Sequence, residues 1–340
     1  MTTASAVQAS LHRGRDAVVP ALRAALERLD DTSRALSFYH LGWTDMDGAP
    51  AAAAGGKAVR PTLALLSAQA AGAPAEAGLP GAVAVELVHN FSLLHDDLMD
   101  GDTKRRHRPT VWAVWGAASA ILTGDALLAL AHEVLLESAS GQAAAAARLL
   151  AGAIRELIRG QVLDVAFEQR ADVTLAECLD MVAGKTGALL AASAAVGAVL
   201  AGAAPGVVAA LSRYGAELGV AFQLVDDLLG IWGEPAVTGK PVYSDLRAGK
   251  KTLPVTYVVA RGGTAGRELE RWLAARATPG EPELRRAARL VEAGGGRAWA
   301  AAEAQRRVEQ AAHALSTAAI PAATREELVA ISRFVVAREA

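Results

Sequence analysis

The run AVAVELVHNFSLLHDDLMD, residues 82–100, decides how the rest of the chain is read. An apolar stretch from Ala82 to Leu94 ends in three carboxylates, Asp96, Asp97 and Asp100. On a helix Asp96 and Asp100 stand four positions apart on one face, about 6 Å from each other. A solvated helix end is the plain reading of such a cluster. Against it, carboxylates crowded near the C-terminal end of an apolar helix oppose both one another and the helix dipole, unless a cation offsets them.

Working outward, the composition favours more helices of the same kind. Hydrophobic residues make up 52% of the 340, alanine dominates that fraction, and aromatic residues are only 4%. That bias favours helix and leaves almost no sheet to expect. Apolar segments are punctuated at Gly72–Pro74, Gly101–Pro109, Ala171–Thr174, Gly202–Gly206, Gly233–Pro241, Gly262–Gly266, Pro279–Pro282 and Gly294–Gly296. A loop from about Tyr39 to Gly56 separates the first helix from the next, which opens with Pro61 in its early turn. No repeat and no linker of biased composition divides the chain. The expected fold is all-α, a single-domain bundle of roughly ten or more helices around a central active-site cavity. It spans residues 16–340 and follows a loosely ordered lead-in over residues 1–15.

Charge and cysteine content remove several function classes. Lys and Arg number 34 against 36 Asp and Glu, a formal net charge of -2, so no global field draws nucleic acid or an anionic membrane. An anion site has to be built locally. Cys178 is the single cysteine, which excludes an intramolecular disulfide framework and a Cys-rich zinc site and fits a reducing cytoplasm. The start, Met1-Thr2-Thr3-Ala4, has no basic region followed by an apolar core, so no secretory signal is read. Thr186–Ser212 carries no charge and is long enough to raise the question of a membrane span. Its interruption at Gly202-Ala203-Ala204-Pro205-Gly206 reads as a helix stop and restart, which favours two buried helices and no membrane span.

A second acidic pair lies in Phe222-Gln223-Leu224-Val225-Asp226-Asp227-Leu228-Leu229-Gly230, again inside an apolar helical run. One Asp-Asp pair means little. Two, each within an otherwise buried helix, are harder to explain structurally, because unpaired buried charge costs on the order of several kcal/mol. Carboxylates without His or Cys suit a hard cation, and Mg²⁺ normally completes its octahedron with water and phosphate oxygens. Basic residues flank both clusters: Lys57 and Arg60 upstream, Arg105 and Arg106 after the first, Lys240, Lys250 and Lys251 after the second. Each alone reads as a surface charge; together they are placed as two metal-bridged diphosphates require.

Several motifs occur in one order: Gly55-Gly56-Lys57-Ala58-Val59-Arg60-Pro61, Asp96-Asp97-Leu98-Met99-Asp100 followed by Arg105-Arg106, and Lys185-Thr186. After them come Phe222-Gln223 with Asp226-Asp227, Gly239-Lys240-Pro241, Ser244-Asp245-Leu246, and Lys250-Lys251-Thr252-Leu253-Pro254. In this order the chain resembles the polyprenyl synthetase family from about Gly55 to Pro254, with geranylgeranyl diphosphate synthases as the best likeness. The resemblance implies that Lys57, Arg60, His89 and Arg106 bind isopentenyl diphosphate. It assigns Arg105, Lys185, Lys240 and Lys250 to the allylic diphosphate and places Thr186 and Gln223 at the reacting carbons. The metal set it implies is Asp96, Asp97, Asp100, Asp226 and Asp227, with Asp96, Asp100, Lys185 and Asp226 expected to carry the catalysis. As cofactor the resemblance implies Mg²⁺, as three ions with bound diphosphate and with Mn²⁺ as a substitute. The expected partner is a second copy of the chain.

His89 lies seven residues before Asp96 and so shares its helical face, which favours a site role over that of a core histidine. Thr186 and Gln223 read equally well as helix–helix hydrogen-bonding residues. Three positions depart from the family pattern: Gly230 stands where a third Asp is common, His107 where a Gly usually follows the Arg pair, and Ala58 where a basic residue is frequent. Chain length points to Phe91 and Ser92, five and four residues before Asp96; one aromatic beside a small residue, with no insertion in the Asp motif, resembles enzymes of twenty-carbon product. Farnesyl diphosphate is the alternative product. Two further alternatives are a non-catalytic regulatory subunit, favoured by Gly230, and a class I terpene cyclase, disfavoured because it has no use for Lys57, Arg60 and Arg106.

Overall fold

The structure, a computed structural model, describes residues 3–51, 56, 58–170, 172–234, 241–275 and 279–337. It is all-α, as expected, and its named strands are one antiparallel pair of two residues each. The chain, read from its sequence as one domain, packs as two compact units. The first comprises the chain up to Ile154 with Ala191–Ser212 and Leu315–Ala330; the second comprises Arg155–Leu190, Arg213–Ala314 and the chain from Ile331.

In the first unit, α1 (Thr3–Leu26), α2 (Asp31–His40), α3 (Val59–Ala70), α4 (Leu79–Met99), α5 (Val111–Trp115) and α6 (Ala117–Leu136) are arranged around α4, which packs along both α3 and α6. Helix α4 carries the decisive run. Pro80 sits in its first turn, and Val83, Leu87, Phe91 and Leu94 form a buried stripe at three- and four-residue spacing. Burying each such side chain is worth about 1.5–3 kcal/mol. The helix stops at Met99, with Asp100 as its cap and Gly101 in the left-handed region at φ 68°.

Two expectations for the start of the chain need correction. The lead-in over residues 1–15 belongs from Thr3 onward to α1, where Val7, Ser10 and Leu11 are buried. The single helix expected to run to Tyr39 is broken before α2, because the Asp30 carboxylate accepts hydrogen bonds from the Thr32 and Ser33 backbone N–H groups and starts a new helix.

After α4 the chain turns through β1 (Lys104–Arg105) and β2 (Arg108–Pro109), paired antiparallel with Arg105 opposite Arg108. The connecting residues Arg106 and His107 have φ of 50° and 64°. Both central residues of this two-residue turn are left-handed, a conformation that glycine adopts without a Cβ penalty and that costs other residues about 1–2 kcal/mol each.

In the second unit, α7 (Ala143–Glu168) contributes its residues from Arg155 on, and α8 (Leu175–Val182) begins at a capping box of Thr174 and Glu177. A π-helical turn, Ala183–Gly187, joins α8 to α9 (Ala188–Leu200). It is followed in sequence by α10 (Pro205–Trp232), α11 (Ser244–Arg247), α12 (Leu253–Arg261), α13 (Gly263–Ala274), α14 (Glu281–Ala293), α15 (Gly296–Ser316) and α16 (Ala322–Val336). One core joins Cys178, Met181 and Val182 to Val220, Leu224, Val225 and Leu228. Two glycines let helices close on the π turn. A Cβ at Gly160 of α7 would lie 2.1 Å from the Lys185 backbone nitrogen, and one at Gly219 of α10 would lie 2.5 Å from Gly187 Cα. Wide turns of this kind recur where helices carry functional groups.

Helix α9 ends at Leu200 and α10 begins at Pro205, the stop and restart expected of the charge-free stretch. Ala75–Met99, Ala117–Leu136 and Leu175–Leu200 are long and apolar enough to cross a membrane by length and composition alone. The most apolar windows of the first and third are 61% and 72% buried within the protein, so their apolar character is accounted for by packing.

Candidate active site

At the end of α4 the three carboxylates part company. Asp96 and Asp100 share a partly exposed face, whereas Asp97, one position on and about 100° around the helix, is 1% exposed. Its Oδ1 accepts from Arg105 Nε at 2.8 Å and Nη2 at 2.7 Å. Asp97 thus anchors the β1–β2 hairpin to α4 and aims Arg105 by a charge-assisted pair.

Beside this anchor the first unit gathers its basic groups. Arg60 Nη1 lies 3.4 Å from His89 Nε2. Burial, with Arg60 and Arg106 close by, holds the His89 pKa well below its ordinary value, so the ring is neutral. A guanidinium can only donate, so in this contact Nε2 is the acceptor and Nδ1 carries the proton. Gly56 packs against Arg106, where a Cβ would stand 3.1 Å from Nη2. Burial raises the Glu86 pKa, and nearby Arg60 and Arg106 oppose that rise.

Two groups in this region were missed by sequence reasoning. Arg15 of α1 donates to the Gly56 carbonyl oxygen and so ties Gly56 to α1. Its only signal was periodicity: it lies four residues after Leu11 and three before Val18, both buried. His40 lines a small cavity with Asp97, Arg105, Arg106 and Arg108. Burial and those three arginines push its pKa down to about 3. Nothing local in the sequence marks it, since α2 reaches the arginines only through tertiary packing.

The second unit is organised by a relay of hydrogen bonds. Thr186 Oγ1, in the π turn, donates to Gln223 Oε1 at 2.8 Å; Gln223 Nε2 donates to Asp227 Oδ1 at 2.8 Å; and Asp227 Oδ2 accepts from the Leu253 backbone N–H at 2.8 Å. This is the helix–helix role that competed with a place at the reacting carbons. Asp227 is 4% exposed and has both oxygens engaged, so it serves as a tie between α10 and the start of α12. Burial is the main cause that raises its pKa to about 8. Asp226, by contrast, is exposed. Lys185 Nζ is 2.5 Å from Asp164 Oδ2 on α7, a half-buried pair. Asp164 was also missed, although a lone carboxylate within the apolar run 162–167 was a signal. Lys250 is partly exposed, and its backbone N–H donates to the Asp245 carbonyl oxygen at 2.9 Å. Lys57 and Lys240 lie outside the described residues.

No three acidic, His or Cys side chains converge into a metal cage among the described residues. Magnesium keeps several waters and takes few protein carboxylates plus phosphate oxygens. Asp96, Asp100 and Asp226 are the acidic groups of the two motifs with surface left for such an ion, while Asp97 and Asp227 are turned to protein donors.

The sequence model of the polyprenyl synthetase family matches residues 49–291. The chain belongs to this family. It is a prenyltransferase, and the family is magnesium-dependent. A (2E,6E)-farnesyl diphosphate synthase of Mycobacterium tuberculosis is 56% identical over 326 residues, 95% of this chain and 91% of the relative. A geranylgeranyl diphosphate synthase of the same organism is 43% identical over 334 residues, covering 98% and 94%. Among solved structures, a polyprenyl synthetase from Streptomyces coelicolor A3(2) superposes with a TM-score of 0.93 at 52% identity, covering 97% of this chain and 99% of the other. In this polyprenyl synthetase the family's Asp-Asp pairs therefore each split into an outward and an inward carboxylate.

Proposed function

We propose that the chain condenses isopentenyl diphosphate with dimethylallyl and geranyl diphosphates and releases mainly farnesyl diphosphate. The observation that carries this reading is the 56% identity, over nearly the whole chain, to a farnesyl diphosphate synthase. In the first unit Asp96 and Asp100 hold magnesium, Arg105 meets the allylic diphosphate, and Lys57, Arg60, His89 and Arg106 hold the diphosphate of isopentenyl diphosphate. In the second unit Asp226 holds magnesium, and Lys185, Lys240 and Lys250 neutralise the allylic diphosphate. Bound magnesium, as three ions or as manganese in their place, offsets the charge that grows on the leaving diphosphate.

The cationic side chains favour breakage of the allylic C–O bond, whose electron pair leaves with diphosphate. The double bond of isopentenyl diphosphate, held close by its own arginines, then bonds to the allylic cation. Loss of a proton, with the departing diphosphate as the base, gives a product five carbons longer. Thr186 and Gln223 act here by fixing Asp227 and the start of α12. The protein works as a cytoplasmic homodimer, supported by its single buried Cys178 and by the exposed apolar side chains Ile121 and Leu122 on α6.

A geranylgeranyl product is the second reading, favoured by one observation. Ser92, small and on the Asp96 side of α4, donates to the His89 carbonyl oxygen, whereas Phe91 packs edge-on against His95 with ring centroids 4.8 Å apart. The test is incubation of the purified protein with labelled isopentenyl diphosphate, dimethylallyl diphosphate and Mg²⁺, followed by chromatography of the dephosphorylated products. A fifteen-carbon alcohol is expected. A dominant twenty-carbon alcohol selects the second reading, and no product from folded protein selects the regulatory subunit.

A further inference from the structure

The turn that leads into α3 is held by two residues of α1, Gly14 and Arg15, and neither belongs to the ordered motifs, which begin at Gly55. Ala58, which caps α3, is left-handed at φ 52°, a conformation disfavoured for any residue with a Cβ. The Thr62 hydroxyl, one turn into α3, donates to the Ala58 carbonyl oxygen at 2.7 Å. That same side chain meets α1. A Cβ at Gly14 would run into Thr62 Oγ1 and lie 3.0 Å from Thr62 Cβ, so α1 comes this close to α3 only because position 14 has no side chain. The next residue, Arg15, donates to the Gly56 carbonyl oxygen. Gly56 also faces Arg106, whose Nη2 would stand 3.1 Å from a Cβ there. Arg15, Gly56, Ala58, Pro61, Glu86 and Arg106 line one cavity of about 580 Å³, so α1 forms a wall of the space that Arg106 faces. Gly56 and Ala58 flank Lys57 in the sequence. Adjacent residues of α1 thus hold the backbone on both sides of it, Arg15 at Gly56 and Gly14, through Thr62, at Ala58.

We propose that Gly14 and Arg15 are positioning residues for isopentenyl diphosphate, clamping the turn that carries Lys57 and leads to Arg60, with Arg106 packed against it. The inference rests on the reading of Lys57, Arg60 and Arg106 as the isopentenyl diphosphate site. Several donors recognise one anion well only when their separations are fixed beforehand, because a ligand that must gather loose donors loses affinity to the ordering. Arg15 directs an N–H at a backbone carbonyl, so its effect passes through the turn. The allylic diphosphate, assigned to Arg105 and to lysines of the second unit, does not depend on this clamp.

Steady-state rates of the full-length protein, with isopentenyl diphosphate and dimethylallyl diphosphate varied in turn at saturating Mg²⁺, test this. Arg15→Ala is expected to raise the KM for isopentenyl diphosphate about fivefold, while kcat and the KM for dimethylallyl diphosphate stay within about twofold of the parent. Arg15→Lys keeps an N–H donor and should recover most of the loss. Gly14→Ala leaves the Arg15 charge in place but lifts α1 from Thr62, and should shift the same constant in the same direction. Thermal melts identify any variant that fails to fold; if Gly14→Ala is one, the alanine and lysine variants of the partly exposed Arg15 decide. A parent-like KM for isopentenyl diphosphate in folded Arg15→Ala or Gly14→Ala, with that KM raised in Arg106→Ala, overturns the clamp and leaves the reading of the site standing. An equal rise for both substrates overturns it too. A parent-like KM in Arg106→Ala overturns the reading of the site and the clamp with it.

Discussion

At the end of α4, Asp97 gives one oxygen to two nitrogens of the Arg105 guanidinium; near the end of α10, Asp227 gives one oxygen to the Gln223 amide and the other to the Leu253 N–H. The two motifs read alike in sequence, and each sends its second aspartate inward. The partners differ in charge, and with them the electrostatics. Asp97 faces a guanidinium, whereas Asp227 has neutral donors in a buried setting, and burial raises its pKa to about 8. An Asp-Asp pair in this protein is thus one outward group, the proposed metal ligand, and one inward group tied to protein donors. The inward group holds an arginine of the hairpin in one unit and a helix start in the other.

The outward groups should give the largest effects. Asp96→Ala and Asp226→Ala are each expected to lower turnover at least ~10²-fold at near-parent stability, because charge compensation of the leaving group is the dominant catalytic contribution. Steady-state rates with saturating Mg²⁺ measure this; a near-normal rate in either variant breaks the symmetry between the motifs.

The basic residues of the two units should separate by substrate. Arg106→Ala is expected to raise the KM for isopentenyl diphosphate about tenfold, and Lys185→Ala that for the allylic substrate by a similar factor, each through loss of a charge-assisted contact. Equal shifts of both constants in both variants would contradict the division.

The inward groups should differ in stability. Asp97→Asn removes the charge that balances Arg105 and is expected to cost about 1–3 kcal/mol. Asp227→Asn keeps an acceptor for the Leu253 N–H in a place that burial already makes unfavourable for charge, and is expected to cost less than about 1 kcal/mol at pH 7. Urea unfolding of both variants at that pH orders them, and the reverse order would show that the partner's charge is not what distinguishes the two anchors.

The smallest effect concerns the hairpin that Asp97 anchors. His107, left-handed at φ 64°, stands where glycine would relieve the backbone, so His107→Gly should stabilise the protein by no more than about 1 kcal/mol, the relief being partly offset by the entropy of an unfolded glycine. A melting temperature below the parent's would show that the His107 side chain contributes more than its conformation costs.

Much of this architecture was legible in the chain. The period and composition of residues 82–94, the Gly and Pro punctuation and the stop and restart at 202–206 all survive in the fold, because they express local backbone preferences and the burial of apolar faces. The order of the motifs carried the family, since each residue type is tied to its chemistry whatever surrounds it. The break before α2 was missed although Asp30 is a plain helix cap, whose carboxylate accepts from the Thr32 and Ser33 N–H groups.

What the sequence by itself determined is the all-α class and the family, and it named all five motif carboxylates as metal candidates without telling outward from inward. What only the tertiary structure decided is which side chain faces which. It set Asp97 on Arg105, Asp227 on Gln223 and Leu253, Lys185 on Asp164, Arg15 on Gly56 and Gly14 against Thr62. The physical reason is distance along the chain. Helical periodicity relates residues three or four apart, whereas these partners lie up to tens of residues apart and meet only because helices pack closely enough for a missing Cβ or a single carboxylate to decide the contact.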